Sequence, residues 1–394
     1  MSAVKAELDN GILVVFLSGD IDSLNAQQVE EEIRERCRDA QPQSVVLDLR
    51  DLHSTSSAGL RVFLRLKQDI DDTRIVNAGP AVYDVLTLTG FTEIMDVQKA
   101  YRVLSVEGCE MIGQGANGRV YRIDRDTIVK VYTDPDSLED IRRERELART
   151  AFVAGLPTAI SYDVVRMEGG GYGSVYELLN ATSLANLLVS GEKTVDEVAE
   201  ISVKLLKLIH SMVAKPGSVP DMRTVAAEWV DKLEGRLPAD QYGKLRALFG
   251  AIPEDMHLMH GDYHLRNVMV QDGEALLIDM DTLCHGHPVF ELAAMYNACR
   301  GFGETDPSVI ERFLGISAET AFAFWKKNLG LYLGTTDEAV LRDVENKVKV
   351  ISHARILRRA YRRSATEPDG CRAEIENSRR ILAELLPVVD TLLF

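Results

Sequence analysis

Three oxygen-bearing side chains stand close together in the segment HGDYHLRNVMVQDGEALLIDMD, residues 260–281. Asp262 and Asn267 lie just before one apolar run, and Asp279 closes a second. Phosphoryl transfer needs a carboxylate to orient the attacking hydroxyl group, a role that suits Asp262, and oxygen ligands for Mg²⁺, which suit Asn267 and Asp279. The spacing therefore predicts a phosphoryl-transfer site. The alternative is a loop with ordinary Asp and Asn caps.

The runs NVMV and ALLID each have the aliphatic composition of a short buried strand. Asp272-Gly273 lies between them and is a strong signal for a tight hairpin turn. A hairpin places its two outer ends side by side. We therefore expect Asp262, Asn267 and Asp279 to converge at one edge of this hairpin.

The motifs HGDYHLRN and LLIDMD resemble the catalytic and metal-binding segments of small-molecule kinases of the aminoglycoside phosphotransferase and choline kinase type. The resemblance implies a bilobal α+β protein-kinase-like fold. It also implies that Asp262 is the catalytic base, that Asn267 and Asp279 bind Mg²⁺, and that His260 braces the backbone. Two positions depart from the family pattern, since Met280 replaces an aromatic residue and Glu291 stands where the family has Asp.

Gly113, Gly115 and Gly118 form a GxGxxG motif. A dinucleotide-binding fold would place a helix directly after these glycines, but the sequence continues with VYRI, a polar turn and TIVKVY, which favour two strands. Strands on both sides of a glycine-rich turn are typical of the loop that covers the phosphates in kinases. We therefore expect these glycines to bind the nucleotide.

Lys130 interrupts the apolar strand TIVKVY. Its ammonium group would meet the α- and β-phosphates, and because an unpaired buried Lys is costly, it needs a carboxylate from the following helix. Glu144 is the predicted partner, with Glu146 in reserve. The alternative is that Lys130 points to solvent from an edge strand.

The strand GYGSVYELL is followed by a connector. The kinase resemblance implies that Glu177 to Leu179 form the hinge whose backbone holds the adenine ring. Seven later segments have helical periodicity, which predicts a helical second lobe: 195–214, 222–236, 239–249, 290–299, 306–329, 337–363 and 370–393. We expect a phosphotransferase domain over residues 106–394, with lobes at 106–179 and 180–394.

Residues 1–104 predict a different unit, with the element order β-β-α-β-α-β-α. Asn10-Gly11 marks an opening hairpin, and Pro80 and Gly90 mark the limits of the last helix. Alternating strands and helices of this length predict an α/β binding module.

The segments LDLRDLHSTSSAGLRVFL and LTLTGFTEI resemble the STAS domain of bacterial anti-sigma factor antagonists. The resemblance implies a protein partner. It also aligns Ser57 with a serine whose phosphorylation releases that partner, although Ser56 replaces the Asp that usually precedes it. A plain helix cap is the other interpretation of Ser57.

Composition excludes several classes of protein. A formal net charge of −16 opposes binding to nucleic acid and to anionic membranes. The N-terminal residues lack the pattern of a signal peptide, and no apolar run approaches the length of a membrane span, so we expect a cytoplasmic location. Five scattered cysteines without a CxxC pair indicate reduced thiols.

One helical segment, HARILRRAYRRS, is rich in arginines at helical spacing. They are predicted to share one face: Arg355, Arg358, Arg359, Arg362 and Arg363. This face either is solvated and paired with acidic residues or recognises an anionic substrate or an acidic partner. A cationic aminoglycoside would suit it poorly.

These patterns predict an ATP- and Mg²⁺-dependent phosphotransferase that acts on a hydroxyl group of a small molecule and carries a regulatory STAS-like module. Two alternatives stay open. The chain could be a regulatory protein that senses nucleotide without turnover, or a protein kinase of an anti-sigma type pathway acting on or through Ser57.

Overall fold

The computed structural model describes residues 3–115, 117–366 and 368–394. Packing divides the chain into two compact units. The first comprises the residues up to Glu107 together with Val164–Gly170, and the second comprises Gly108–Asp163 together with Gly171–Phe394.

The first unit is an α/β fold around a five-stranded sheet in the order β1-β2-β3-β4-β5. Its elements in chain order are β1 Ala3–Asp9, β2 Ile12–Ile21, α1 Ala26–Ala40, β3 Ser44–Thr55, α2 Ser57–Asp69, β4 Thr73–Ala78, α3 Pro80–Leu88, α4 Phe91–Ile94, β5 Val97–Lys99 and β6 Arg102–Leu104. The predicted order β-β-α-β-α-β-α is confirmed, and the short α4, β5 and β6 follow it.

The opening hairpin shows why the sequence folds in this way. β1 and β2 are antiparallel, and Asn10 and Gly11 at their turn have φ of 50° and 82°. These residues adopt positive φ more readily than most, and turns of this kind match the twist of the strands. The neighbouring pairs from β2 to β5 are parallel. Val15, Phe63 and Ile75 are fully buried in the core that the helices cover.

The strand β10, Asp163–Met167, contributes all of its residues except Asp163 to the first unit. Its residues Val165, Arg166 and Met167 pair in parallel with the three residues of β6.

The second unit begins with strands that pair in the order β11-β9-β8-β7, all antiparallel. Its first elements are β7 Glu110–Gln114, β8 Gly118–Arg122, β9 Thr127–Tyr132, α5 Leu138–Ala154 and β11 Tyr172–Glu177. The predicted pair of strands around a glycine-rich turn is therefore present.

The remainder of the second unit is mainly helical, as predicted. It contains β12 Thr182–Ser183, α6 Leu184–Val189, α7 Val195–His210, α8 Met222–Asp231, α9 Ala239–Gly250, β13 Leu258–Met259, β14 Val268–Gln271, β15 Glu274–Leu277, β16 Cys284–His285, α10 Val289–Cys299, α11 Ser308–Leu314, α12 Ala318–Leu333, α13 Glu338–Arg363 and α14 Pro368–Leu385.

One helix prediction was wrong. The segment 306–329 is two helices, because Gly315 ends α11 with φ of 77° and Ser317 caps α12 by accepting a hydrogen bond from the Thr320 amide. A glycine in the left-handed conformation ends a helix, and a serine cap just after it begins another.

The helix α10 lies at the centre of the helical part, and all eleven of its residues are buried. It packs against α12 and α13. Its one acidic residue, Glu291, is fully buried, which requires polar partners at that position.

All five cysteines are free thiols. Cys284, Cys299 and Cys371 are buried in the second unit, whereas Cys37 and Cys109 are partly exposed. No helix in the described part of the chain is long and apolar enough to cross a membrane.

Candidate active site

The hairpin predicted at the centre of the site is formed by β14 and β15, with Val268 opposite Leu277. Asp272 and Gly273 turn it with φ of 51° and 83°. Asn267 precedes β14, and Asp279 follows β15 in a left-handed conformation with φ of 64°. The Ile278 amide donates to the Asn267 carbonyl oxygen over 3.0 Å. This bond fixes the two ends of the hairpin side by side.

The HGD loop, residues 260–267, is held by buried polar contacts. His260 is fully buried, and its Nε2 lies 3.0 Å from the Ile278 carbonyl oxygen. Glu291 of α10 accepts hydrogen bonds from the amides of His260, at 2.5 Å, and Gly261, at 2.9 Å. Its Oε1 also accepts one from the Tyr263 amide. The Glu291 carboxylate therefore accepts hydrogen bonds from three amides of a sharply turned loop. Glu291 thus positions this loop, although the family pattern has Asp at this position.

Gly261 is required by this geometry. Its φ is 83°, and a Cβ atom at this position would lie 2.3 Å from the Thr282 carbonyl oxygen. A side chain would push the HGD loop away from the turn that follows β15.

Asp262 is partly exposed at the mouth of this loop. Its Oδ2 lies 3.5 Å from His264 Nε2, and its Oδ1 lies 3.9 Å from Arg355 Nη2. Burial alone would raise the pKa of Asp262, but the hydrogen bond and charge of His264, followed by the charges of Arg355 and His260, lower it to about 2. The carboxylate is therefore ionised at neutral pH and can accept a hydrogen bond from a hydroxyl group.

Lys130 lies between two carboxylates. Its Nζ is 2.9 Å from Glu144 Oε1 on α5 and 2.7 Å from Asp279 Oδ1. Burial lowers the pKa of Lys130, but the charges of Asp279 and Glu144 outweigh burial and raise it overall. Glu146, the reserve candidate, is exposed.

Glu144 is anchored by two tyrosines. Tyr132 donates its hydroxyl to Glu144 Oε2 over 2.7 Å, and Tyr176 donates to Oε1 over 3.2 Å. Burial, together with this carboxylate, raises the pKa of both phenols, so they remain neutral donors. Glu144 therefore holds Lys130 in a fixed position.

Asp281 is a site residue that the sequence interpretation missed. Its Oδ2 lies 3.3 Å from the Asn117 Nδ2 of the glycine-rich turn. Burial, followed by the negative charges of Asp279 and Glu144, raises the pKa of Asp281 to about 7. The signal was present in LLIDMD, where a second Asp follows Asp279 by two residues.

The three predicted nucleotide-binding glycines differ in what they do. Gly118 allows close strand pairing, since a Cβ there would lie 2.3 Å from the Val131 carbonyl oxygen. The Gly115 amide donates to the Gly118 carbonyl oxygen over 2.9 Å and so closes the turn. A Cβ on Gly115 would meet open space, and one on Gly113 would be in ordinary contact with Val120. Ala116, within the motif, lies outside the described residues.

The predicted hinge follows β11. Glu177 is the last residue of that strand and is exposed, and Leu179 is half-buried. The amide of Leu178 donates to the Asp126 carbonyl oxygen over 2.7 Å. This bond ties the hinge to the turn between β8 and β9.

The residues around Lys130 fit a nucleotide-bound Mg²⁺ ion. Asn267 Nδ2 donates to the Asp262 carbonyl oxygen over 3.0 Å, which leaves the amide oxygen as the group available to a cation. Across the described residues, no three His, Cys, Asp or Glu side chains are grouped as a metal site. An amide and a carboxylate completed by phosphate oxygens and water are a usual Mg²⁺ environment, whereas they would not hold a transition metal alone.

The spacing of the five arginines on the continuous helix α13 keeps them on one side of it, and their different neighbours divide that side into two rows. Arg359 lies over the Phe302 ring at 4.5 Å, and Arg363 Nη1 lies 3.5 Å from Glu374 Oε1. Arg355, Arg358 and Arg362 form the second row, which begins at Asp262.

A separate cavity of about 710 Å³ lies among the later helices and has mixed charge. Its charged lining residues are Arg300, Glu304, Glu319, Lys349, Arg380 and Glu384. None of the predicted site residues lines it.

Ser57 is the first residue of α2 and is exposed. The interpretation of Ser57 as the helix cap is wrong, because Ser56 is the cap and its Oγ accepts from the Ala58 amide over 3.2 Å. The Ser57 hydroxyl is therefore not the capping group.

A paired lysine, a glycine-rich turn between strands and an HGD loop beside the β14–β15 hairpin are the features of a kinase-type phosphotransferase. Residues 108–325 match the sequence profile of the phosphotransferase enzyme family, APH. This match covers more than half of the chain, so the chain belongs to that family. Residues 3–104 match the STAS domain.

Known proteins resemble each unit separately. BtrV of Bordetella bronchiseptica, named as a candidate anti-sigma factor antagonist, is 37% identical over 92 residues, which cover 22% of this chain and 78% of that protein. The anti-sigma F factor antagonist of Paenibacillus polymyxa is 28% identical over 98 residues, or 24% of this chain and 84% of that protein.

The crystal structure of the aminoglycoside phosphotransferase APH(4)-Ia covers 72% of this chain and 96% of its own, with a TM-score of 0.50 and 13% identity. At this identity the similarity shows the fold alone. The predicted resemblances and fold class are confirmed for both units.

Proposed function

We propose that the chain is an ATP- and Mg²⁺-dependent phosphotransferase that transfers the γ-phosphoryl group to a hydroxyl group of a small molecule. One arrangement supports this assignment: Lys130 contacts Glu144 and Asp279 at once, and the HGD loop beside the same hairpin carries an ionised Asp262. A purely structural ion pair would not require the second carboxylate.

The residues divide between nucleotide and acceptor. Gly113, Gly115 and Gly118 would lie over the phosphates, which Lys130 would hold, and the hinge from Glu177 to Leu179 would hold the adenine ring. Asn267 and Asp279 would hold Mg²⁺, which when bound neutralises charge on the β- and γ-phosphates.

Asp262 would act on the acceptor. Its carboxylate accepts a hydrogen bond from the acceptor hydroxyl and orients that oxygen toward the γ-phosphorus. A bond forms from this oxygen to the phosphorus as the bond to the bridging oxygen of ADP breaks, and the hydroxyl proton passes to Asp262. Glu291 and His260 keep the loop in place during this step.

The decisive experiment follows label from ATP radiolabelled in its γ-phosphate, with Mg²⁺ and metabolite extract. Asp262→Asn should lower turnover by roughly 100- to 10,000-fold while leaving nucleotide affinity nearly intact. Asp272→Asn, on the exposed hairpin turn, is the matched control and should retain activity. Equal activity of Asp262→Asn and wild type would remove the base assignment.

The STAS unit is proposed to bind a protein partner in the cytoplasm, without nucleic acid or membrane. The exposed Ser57 hydroxyl, which is free of the capping role, favours a second candidate function, phosphorylation that changes this partner binding. A phosphate would add about −1.5 to −2 charges beside the start of α2.

Mass spectrometry after ATP treatment tests this candidate in wild type, Asp262→Asn and Ser57→Ala. Phosphate at Ser57 in the wild type alone would indicate self-modification. Its absence from the wild type would end that version of the proposal.

A further inference from the structure

The arginines of helix α13 have two kinds of surroundings, which define a closed row and an open row. In the closed row, Arg359 packs on Phe302 and Arg363 pairs with Glu374, so both guanidinium groups are accounted for by the fold. In the open row, Arg355, Arg358 and Arg362 recur at intervals of three and four residues and share one side of the helix.

Arg355 joins the open row to the proposed catalytic base. Its Nη2 lies 3.9 Å from Asp262 Oδ1, and its guanidinium lies over the Trp229 ring at 5.4 Å. The aromatic contact holds the side chain beside Asp262 without neutralising it. The row therefore starts where the acceptor hydroxyl would bind.

Arg358 and Arg362, the other two members of the open row, lack contacts like those that Arg355 makes with Asp262 and Trp229. Within the described part of the chain, neither Arg358 nor Arg362 forms an ion pair or a hydrogen bond. Burial, followed by the charges of Arg362 and Arg355, lowers the pKa of Arg358, and Glu228 offsets this only in part. Although the chain has a net charge of −16, this positive charge is therefore only partly compensated.

We propose that the acceptor carries an anionic oxygen group, carboxylate or phosphate, which Arg358 and Arg362 bind while Asp262 receives the acceptor hydroxyl. This inference rests on the proposed function and specifies its substrate class. Guanidinium groups bind such oxygens through paired hydrogen bonds. At 1.5 Å per residue, Arg358 and Arg362 lie about 5 and 10 Å beyond Arg355 along the helix, which suits a compact acceptor. A polycationic acceptor would be repelled.

Anion binding can be measured without knowing the acceptor. Full-length protein is saturated with Mg²⁺ and the non-hydrolysable nucleotide AMP-PNP, so that the nucleotide site is filled, and is then titrated with inorganic phosphate or with acetate at constant ionic strength. The variant Arg358→Gln/Arg362→Gln should bind the preferred anion at least tenfold more weakly than wild type. Arg363→Gln removes one charge from the closed row and should change affinity by less than twofold.

The two anions distinguish an acceptor phosphate from an acceptor carboxylate. Equal affinity of the double variant and wild type, or no binding of either anion to wild type, would overturn the inference. Failure of the protein to bind AMP-PNP would instead count against the proposed function itself.

A transfer assay then identifies the acceptor's charge. Metabolite extract is separated by ion exchange into anionic, neutral and cationic fractions, and each receives the protein and ATP radiolabelled in its γ-phosphate. Labelled product should arise from the anionic fraction, with at least a tenfold higher KM in the double variant and an unchanged KM for ATP. Product from the neutral or cationic fraction alone would overturn the inference, and no product from any fraction would overturn the proposed function.

Discussion

In the proposed function, the nucleotide side of the site depends on Lys130. Its ammonium group is shared between Glu144 and Asp279, so it joins α5 to the turn after β15. The contact to Lys130 occupies one carboxylate oxygen of Asp279, and the other is the oxygen proposed to bind Mg²⁺. Lys130 and Asp279 are therefore coupled, whereas the proposed role of Asp262 concerns the acceptor.

Because Lys130 and Asp279 are coupled, substitutions of these two residues should affect nucleotide binding differently from a substitution of Asp262. Lys130→Ala and Asp279→Ala should each weaken binding of ATP with Mg²⁺ at least tenfold, because both act on the phosphates. Asp262→Asn should leave that affinity nearly unchanged. Isothermal titration calorimetry measures all three, with circular dichroism to verify folding, and unchanged affinity in Asp279→Ala would contradict direct coordination.

At the level of single residues, the sequence predicted Asp262, Asn267 and Asp279 because their spacing around one hairpin is local. It also selected Glu144 over Glu146, and the structure places Glu144 beside Lys130. It could not show the bonds of Glu291 to the HGD loop or the contact of Asp281 with Asn117, because these contacts join residues 30 and 164 positions apart.

Helices and strands were predicted well where the apolar pattern of the sequence is strong, and less well where a single residue interrupts an element without changing that pattern. The hairpins at Asn10-Gly11 and Asp272-Gly273 follow from turn chemistry alone. The split between α11 and α12 depends on the left-handed Gly315, which an apolar pattern on both sides conceals. The two arginine rows of α13 could not be separated from spacing, since the difference lies in which neighbours pack against them.

One buried polar junction among these helices makes stability depend on pH. Glu304 accepts hydrogen bonds from Tyr296, at 2.5 Å, and Asn377, at 2.8 Å. Burial would raise the pKa of Glu304, but His353, whose Nε2 lies 3.5 Å from Glu304 Oε2, followed by these two hydrogen bonds, lowers it to about 2. The folded pKa therefore lies below the unfolded value of about 4.3.

Because the folded pKa is lowered, ionised Glu304 stabilises the protein above about pH 4.3, and this contribution is lost as the pH falls toward 2. Glu304→Gln should therefore destabilise the protein by on the order of 2 kcal/mol at pH 6 and by much less at pH 3. Urea denaturation at both pH values measures the difference, and Glu319→Gln, at a less buried position, serves as control. A pH-independent difference would contradict the assignment.

At the scale of the whole molecule, an acidic chain combines a STAS domain with a phosphotransferase of the APH family. The acidic composition predicted that the chain would not bind nucleic acid or anionic membranes. It could not predict the substrate, because net charge averages over the whole surface. The open arginine row is a local exception to an overall negative charge. In our proposal, the substrate class is determined by this row on one side of one helix.

Alkylation of the buried cysteines can be used to measure opening of the second unit. Burial raises the pKa of Cys284, and raises that of Cys299 to about 12, so their thiolates are scarce as well as inaccessible. Under iodoacetamide, Cys37 and Cys109 should be alkylated first, and Cys284, Cys299 and Cys371 should follow only when the surrounding helices separate.

Peptide mass spectrometry over time measures these rates. If the second unit opens cooperatively, its three buried thiols should share one slow rate, and ATP with Mg²⁺ should slow all three while leaving Cys37 unchanged. Alkylation of Cys284 as fast as that of Cys37 would contradict this expectation. Any compound that binds the second unit can then be ranked by how far it slows these thiols, without a catalytic assay.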